Sequence, residues 1–233
     1  MVNTTPTSLT LALVVVLGSV PLFASGQRRP AIVTRASLID RLSAPDAQPL
    51  VQYRALRHLT AATRGGRMTA SLDALTTFDG SRFAFEVQAE DGSPLILRKV
   101  LLAALQAEQE SQSAVVRDQA ALSAANYEFL ELSAAPEQLM RLNIRPRRHH
   151  VMLVDGALFF EDESADLVRV DGELSKRPSF WTRRVHITRE YQRIDGVHVP
   201  ISMRSTASVV VAGESTFSMT YRYLEINGRT VAP

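Results

Sequence analysis

Cysteine is absent from the 233 residues. Its absence excludes thiol catalysis, Fe–S clusters, thiolate-ligated zinc, disulfide staples and the acylated cysteine of a bacterial lipoprotein. Aromatic residues make up only 6%, and neither sign of charge is in real excess, with 26 Lys+Arg against 24 Asp+Glu. A balance so even and so mixed is not the footprint of a nucleic-acid binder. Glycine and proline, 11 of each, are too few for a collagenous or low-complexity chain. The motifs that announce chemistry are also missing: no Gly-x-Ser-x-Gly elbow, no His-Glu-x-x-His helix, no phosphate-cradling glycine loop. The sequence therefore predicts a non-catalytic protein without a cofactor. What it does hold is 45% hydrophobic residues, enough for an ordinary globular core.

The first charged side chain is Arg28, and before it an apolar run from Leu9 to Ala24 is broken only by Thr10, Gly18, Ser19 and Pro21. The run is short for a bilayer span and ends in the small residues Ala24-Ser25-Gly26. Residues 1–26 thus read as a cleaved export signal, with an uncleaved anchor as the alternative, although Met1 to Ser8 hold no Lys or Arg. Export places the chain in the periplasm, or outside the cell if it is fully secreted. Residues 27–45, with Pro30 and Pro45, read as an irregular lead-in, and 46–229 as one domain without linker or repeat.

Two segments carry helical signals. From Pro49 onward, Leu50, Tyr53, Leu56 and Leu59 recur at threes. Ser93-Pro94 opens a second segment, in which Leu97, Val100, Leu101, Ala104 and Leu105 share a face. Its charges oppose the helix dipole, Arg98 and Lys99 standing early and Glu108 and Glu110 late, so packing must hold it. The remainder alternates with period two, as in Phe83, Phe85, Val87 and Ala89, in Val197, Val199, Ile201 and Met203, and in Phe217, Met219, Tyr221 and Tyr223. Asp79-Gly80, Asp91-Gly92, Asp155-Gly156, Asp171-Gly172, Asp195-Gly196 and Asn227-Gly228 read as hairpin turns between such strands. The pattern predicts a mainly β, α+β fold: a meander of at least eight antiparallel strands with two or so helices. A curved sheet of that kind offers an apolar concave face, either hollow for an apolar ligand or filled by its own side chains.

Pro178 to Val185, with Phe180-Trp181 and Arg183-Arg184 inside it, then Gly196-Val197-His198-Val199-Pro200, Ser215 to Tyr223 and Ile226-Asn227-Gly228 resemble the closing strands of the LolA/LolB-like outer-membrane lipoprotein-sorting superfamily. The stretch from Leu97 to Glu110, and Pro146-Arg147-Arg148 followed by Val154 to Phe159, are similar to uncharacterised exported members of that group. The resemblance implies a curved, half-open antiparallel β-barrel with helices as lid or plug, and a lipid or lipoprotein acyl chain as partner. Carriers of the superfamily also place an arginine toward the mouth of the cavity, and no position of this sequence is matched to it.

An acyl site needs aliphatic and aromatic surface without an ordered polar constellation. The strand residues expected to line it are Phe83, Phe85, Val87, Trp181, Val185, Ile187, Val199, Ile201, Met203, Phe217, Met219 and Tyr221, with Leu97 and Leu101 on the lid. Each is equally a core residue. Arg145, Arg147 and Arg148, beside His149-His150, form the strongest basic run, suited to an anionic headgroup or envelope membrane surface, or else to a solvated turn. The two histidines lack further ligands at metal spacing, so no metal is predicted. Glu161, Asp162, Glu163 and Asp166 read as a hairpin tip. Three functions follow in order: a lipid or acyl-chain carrier or sensor, an exported scaffold with a filled core that binds a protein partner, and a hydrolase whose residues converge only in space. Oligomeric state is not readable.

Overall fold

A computed structural model of the chain describes residues 33–44, 46–110, 114–178, 182–210 and 213–232. The export segment read over 1–26 and the site residue Trp181 lie outside the described residues. Among the described residues, no helix is long and apolar enough to cross a membrane.

The strands are β1 Tyr53–Thr63, β2 Met68–Phe78, β3 Phe83–Gly92, β4 Tyr127–Ala135, β5 Leu139–Pro146, β6 Val154–Glu161, β7 Leu167–Leu174, β8 Thr182–Ile194, β9 Val197–Val209, β10 Gly213–Ile226 and β11 Arg229–Thr230. They form one antiparallel sheet in the order β3-β2-β1-β10-β9-β8-β7-β6-β5-β4, with β11 on β10. Two meanders, β1 to β3 and β4 to β10, are zipped together where β1 pairs with β10. This is the antiparallel meander that alternation predicts, curved into the half-open barrel that the resemblance implies. The two meanders leave β3 and β4 at opposite edges, so the chain between them must return across the whole sheet. It does so largely as helix: α2 Pro94–Ile96, a π-helical turn Leu97–Leu101 and α3 Leu102–Glu110 are continuous, and α4 Ala114–Ala120 follows. The first three, here called the covering helix, press Ile96, Leu97, Leu101, Ala104 and Leu105 onto the inner face of the sheet.

Three expectations are corrected. The segment from Pro49 to Leu59 is not helical; β1 occupies its second half, with Tyr53, Ala55, Arg57, Leu59 and Ala61 all buried in alternation. An arginine at an inward position and the small Ala55 disguised the period of two. Residues 27–45 are not uniformly irregular, because Arg35–Ser43 form helix α1. Thr34 and Ser37 close a capping box, and Leu38 and Leu42, four apart, are buried against β5, β6 and β7. Of the six Asx-Gly pairs, Asp79-Gly80, Asp195-Gly196 and Asn227-Gly228 are turns, but Asp155-Gly156 and Asp171-Gly172 lie inside strands and Asp91-Gly92 ends β3. Gly156 and Gly172 face each other across β6 and β7, and a Cβ on Gly156 would stand 2.1 Å from the Asp171 carbonyl oxygen. Glycine serves close backbone approach there, not a reversal.

The inner face carries two separate cores. One, under the covering helix, joins β1, β2, β3, β8, β9 and β10 through Leu59, Leu72, Phe83, Ile187, Met203 and Met219. The other, under α1, gathers Leu142, Ile144, Leu158, Phe160 and Leu167.

Candidate functional site

Facing rows of the sheet set what lies under the covering helix. Arg57 of β1 stands opposite Tyr221 of β10 and Ala74 of β2. One step along, Arg189, Met203, Met219, Leu59 and Leu72 follow one another across β8, β9, β10, β1 and β2. Two guanidiniums therefore project from a largely apolar face, and the pleat dictates it: each sits at an inward position of its strand.

Arg57 is 1% exposed, and the group that meets it comes from the helix. Its Nη1 donates to Glu108 Oε2 at 2.5 Å and its Nη2 to Glu108 Oε1 at 2.9 Å, a two-pronged ion pair between strand and helix. Nη2 also donates to the Tyr53 hydroxyl at 2.6 Å. The guanidinium carbon lies 4.5 Å from the ring centre of Tyr221 and 4.9 Å from that of Phe83, so aromatic faces replace water around the cation. Its Nε is buried with no hydrogen-bond partner. Burial pulls the Arg57 pKa down, but Glu108, then Tyr53 and Tyr221, reverse that and leave it well above the ordinary arginine value. Burial pushes the Tyr221 phenol up to about 12, against the pull of Arg57. Tyr53 is pushed up further for the same reason. Arg189 feels the charges of Tyr191, Tyr221 and Glu108, which outweigh its own desolvation and raise its pKa. At neutral pH the tyrosines are therefore un-ionised, and the Arg57 cation faces the Glu108 carboxylate inside the core.

The helix is shaped for this contact. In its π turn the Leu102 amide donates to the Leu97 carbonyl, five residues back, and Leu97 and Leu101 both point at the sheet. The unfavourable placing of Glu108 at the helix C-terminal end is answered by Arg57, which explains a charge order that propensity alone opposes.

Of the other residues expected to line an acyl site, Val185, Ile187, Val199, Phe217 and Met219 are buried in the same core. Phe83 is buried, Phe85 beside it half-buried, and Val87, still on that face opposite Ala74, is 38% exposed near the open edge. A bulge in β3 then removes Gln88 from the pairing and turns Ala89 away. Ile201 falls at another bulge, since Glu190 pairs with Ser202 and Tyr191 with Pro200, so the run from Val197 to Met203 is not one uninterrupted row. The basic run lies apart. Arg147 donates to the carbonyls of Ala124 and Tyr127, and Arg148 to Gln119 and Asn126. Arg145 stands 3.8 Å from Glu128. These cations fasten the entry to β4. His149 and His150 sit in the bend after β5 and not on a strand.

A second concavity, about 620 Å³, opens on the outer face over β5 to β8. Asp155, Asp171, Glu173, His186 and Arg141 line it. Asp171 accepts from Thr188 at 2.7 Å and stands 3.2 Å from His186, while Glu173 pairs with Arg184. Asp171, Glu173 and His186 are thus engaged by neighbours on the same face, and no cluster suited to a metal ion occurs among the described residues.

Sequence reading missed Arg57, Glu108, Tyr53 and Arg189. One signal for Glu108 was available: its position against the helix dipole asks for a buried cation.

No family model and no curated protein matches the chain. Among solved structures it is similar to a DUF1329 family protein from Desulfovibrio piger, at 13% identity over 81% of this chain and 90% of that one, with a TM-score of 0.43. It is also similar to a LolA superfamily protein from Nitrosomonas europaea, at 12% identity over 86% of this chain and 96% of the other, with a TM-score of 0.37. At such identity and TM-score the likeness concerns the fold alone and says nothing of what the chain binds.

Proposed function

We propose that this chain is a non-catalytic carrier or sensor for an amphiphile with an acyl chain, such as a lipid or a lipoprotein, working in the periplasm after export. Its site is the inner face of the half-barrel, with the covering helix as a movable lid. The observation that carries this is the Arg57–Glu108 pair, which fastens helix to sheet inside an apolar concavity. A buried ion pair is a poor way to gain stability, since desolvation consumes most of its attraction and apolar residues of similar size do as well or better. It is, however, specific and exchangeable, as a removable cover requires. Met203 and Met219, facing each other across β9 and β10, add a surface that adapts to chains of different shape. Each methylene taken from water contributes about 0.8 kcal/mol, so an acyl chain of ordinary length can offset the apolar contacts of the displaced helix. The charge-free, apolar opening of the sequence supports export.

A second reading has its own support. Leu59, Leu101, Ala104 and Met219 are fully buried, so the face is closed by the protein's own side chains, as an exported scaffold with a filled core would be. Native mass spectrometry of protein purified from its own envelope separates the two. Bound lipid or acyl adducts, lost when Met203 is replaced by Asp in a variant that still folds, are expected of the carrier. A ligand-free protein that takes up no amphiphile on addition contradicts it.

A further inference from the structure

Resting on the carrier reading above, we infer that the interior recognises the head of its guest as a carboxylate, and that Glu108 is the protein's own stand-in for that head. The guest is then a long-chain carboxylate, its acid group on the Arg57 guanidinium and its tail along the sheet.

Four observations converge. The two prongs of Arg57 hold the Glu108 carboxylate in the fork geometry by which arginine takes any carboxylate. Such a slot does not distinguish a side chain from a fatty acid head. The neighbours suit an acid guest as well: the Tyr53 hydroxyl, 2.6 Å from Nη2, and the rings of Tyr221 and Phe83 preform the cation and keep water from it. Arg57 Nε is buried without a partner, so the guanidinium has a donor edge that Glu108 leaves unused and that an oxygen of a differently placed acid can meet. Finally, Arg189 projects from the same inner face in the row of Met203, Met219 and Leu59, so a second cation lies along the path of the guest, and exchanging one singly charged acid for another leaves the charge of the interior unchanged. Glu108 rides on the covering helix, so its replacement and the uncovering of the apolar floor are one event. Leu59, Met203, Met219 and Leu72 then lie in line with the head for the tail to follow.

Competition is the test. Delipidated protein is titrated with dodecanoate and with dodecanol, which share a chain and differ only in the head. The unaltered protein is expected to bind dodecanoate at least tenfold more tightly. In Glu108→Gln, which keeps the shape and removes the competing charge, dodecanoate affinity is expected to rise about tenfold. Equal binding of acid and alcohol by the unaltered protein overturns the inference and leaves the carrier reading standing, whether or not the variant folds. Weaker dodecanoate binding in a folded Glu108→Gln protein also overturns it. If neither compound binds, the carrier reading itself has failed and this inference falls with it.

Discussion

Two helices lie on the inner face of one sheet, and they are held there by different physics. Helix α1 is secured by Leu38 and Leu42 in a core of Leu142, Ile144, Leu158 and Phe160, and by Arg35 and Arg41, which donate to the carbonyls of Leu130 and Ser164. The covering helix shares its apolar contacts with one buried, two-pronged ion pair. Hydrophobic burial is indifferent to which apolar group supplies it, whereas a fork of donors selects a carboxylate. One half of the molecule is thus built to stay shut, and the other to be exchanged for something with an acid and a tail.

The largest expected effect comes from breaking the pair on one side only. Arg57→Met strands the Glu108 carboxylate in the interior and should lower the unfolding free energy in urea by about 4 kcal/mol. The double replacement Arg57→Met with Glu108→Leu should return stability to within about 1 kcal/mol of the unaltered protein, or exceed it. If single and double replacements are equally unstable, the ion pair is not what distinguishes this half. Next in size, Leu38→Ala in α1 should cost about 3 kcal/mol in the same denaturation experiment, with dodecanoate affinity unchanged. A change in affinity would show that the two halves are not independent.

The smallest effect concerns pH. His198 is buried, stacks on Tyr191 at 5.1 Å and donates from Nε2 to the Leu167 carbonyl. Burial lowers its pKa below 6.5, the Leu167 contact opposing this in part. His150 moves the same way, through burial and then the charge of Arg148. A depressed histidine pKa means that the unfolded chain takes up its proton first as pH falls. The stabilisation is complete above about pH 6.5 and is lost below it, with a slope no steeper than about 1.4 kcal/mol per pH unit for each proton. Urea midpoints between pH 7.5 and 5 should fall toward acid, and His198→Gln should flatten part of that fall. An unchanged profile would remove His198 from the account.

Alternation made most of the sheet legible, and Ser93-Pro94 with its apolar face made the covering helix legible. What failed, failed for local reasons. Strand β1 was hidden because Arg57 occupies an inward position that the pattern reserves for apolar residues; the residue central to the site also masked the element that carries it. Gly156 and Gly172 followed Asp in sequence like turn residues, but serve a close strand approach that only the paired neighbour reveals. The bulge at Ile201 left no mark, because an inserted apolar residue keeps the sequence alternation while changing the pairing. The ion pair was beyond reach for a simpler reason: its partners are 51 residues apart and meet only because the chain recrosses the sheet.

The central claim is that one helix lifts and the other does not. The chain has no cysteine, so spin labels can be placed cleanly at Gln106 with Arg222, across the covering helix and the sheet, and at Asp40 with Arg141, across α1 and the sheet. Pulsed electron–electron distance measurement with and without dodecanoate should lengthen or broaden the first distance and leave the second unchanged. Dodecanoate bound with the first distance fixed, movement confined to the second pair, or no binding at all would contradict the account.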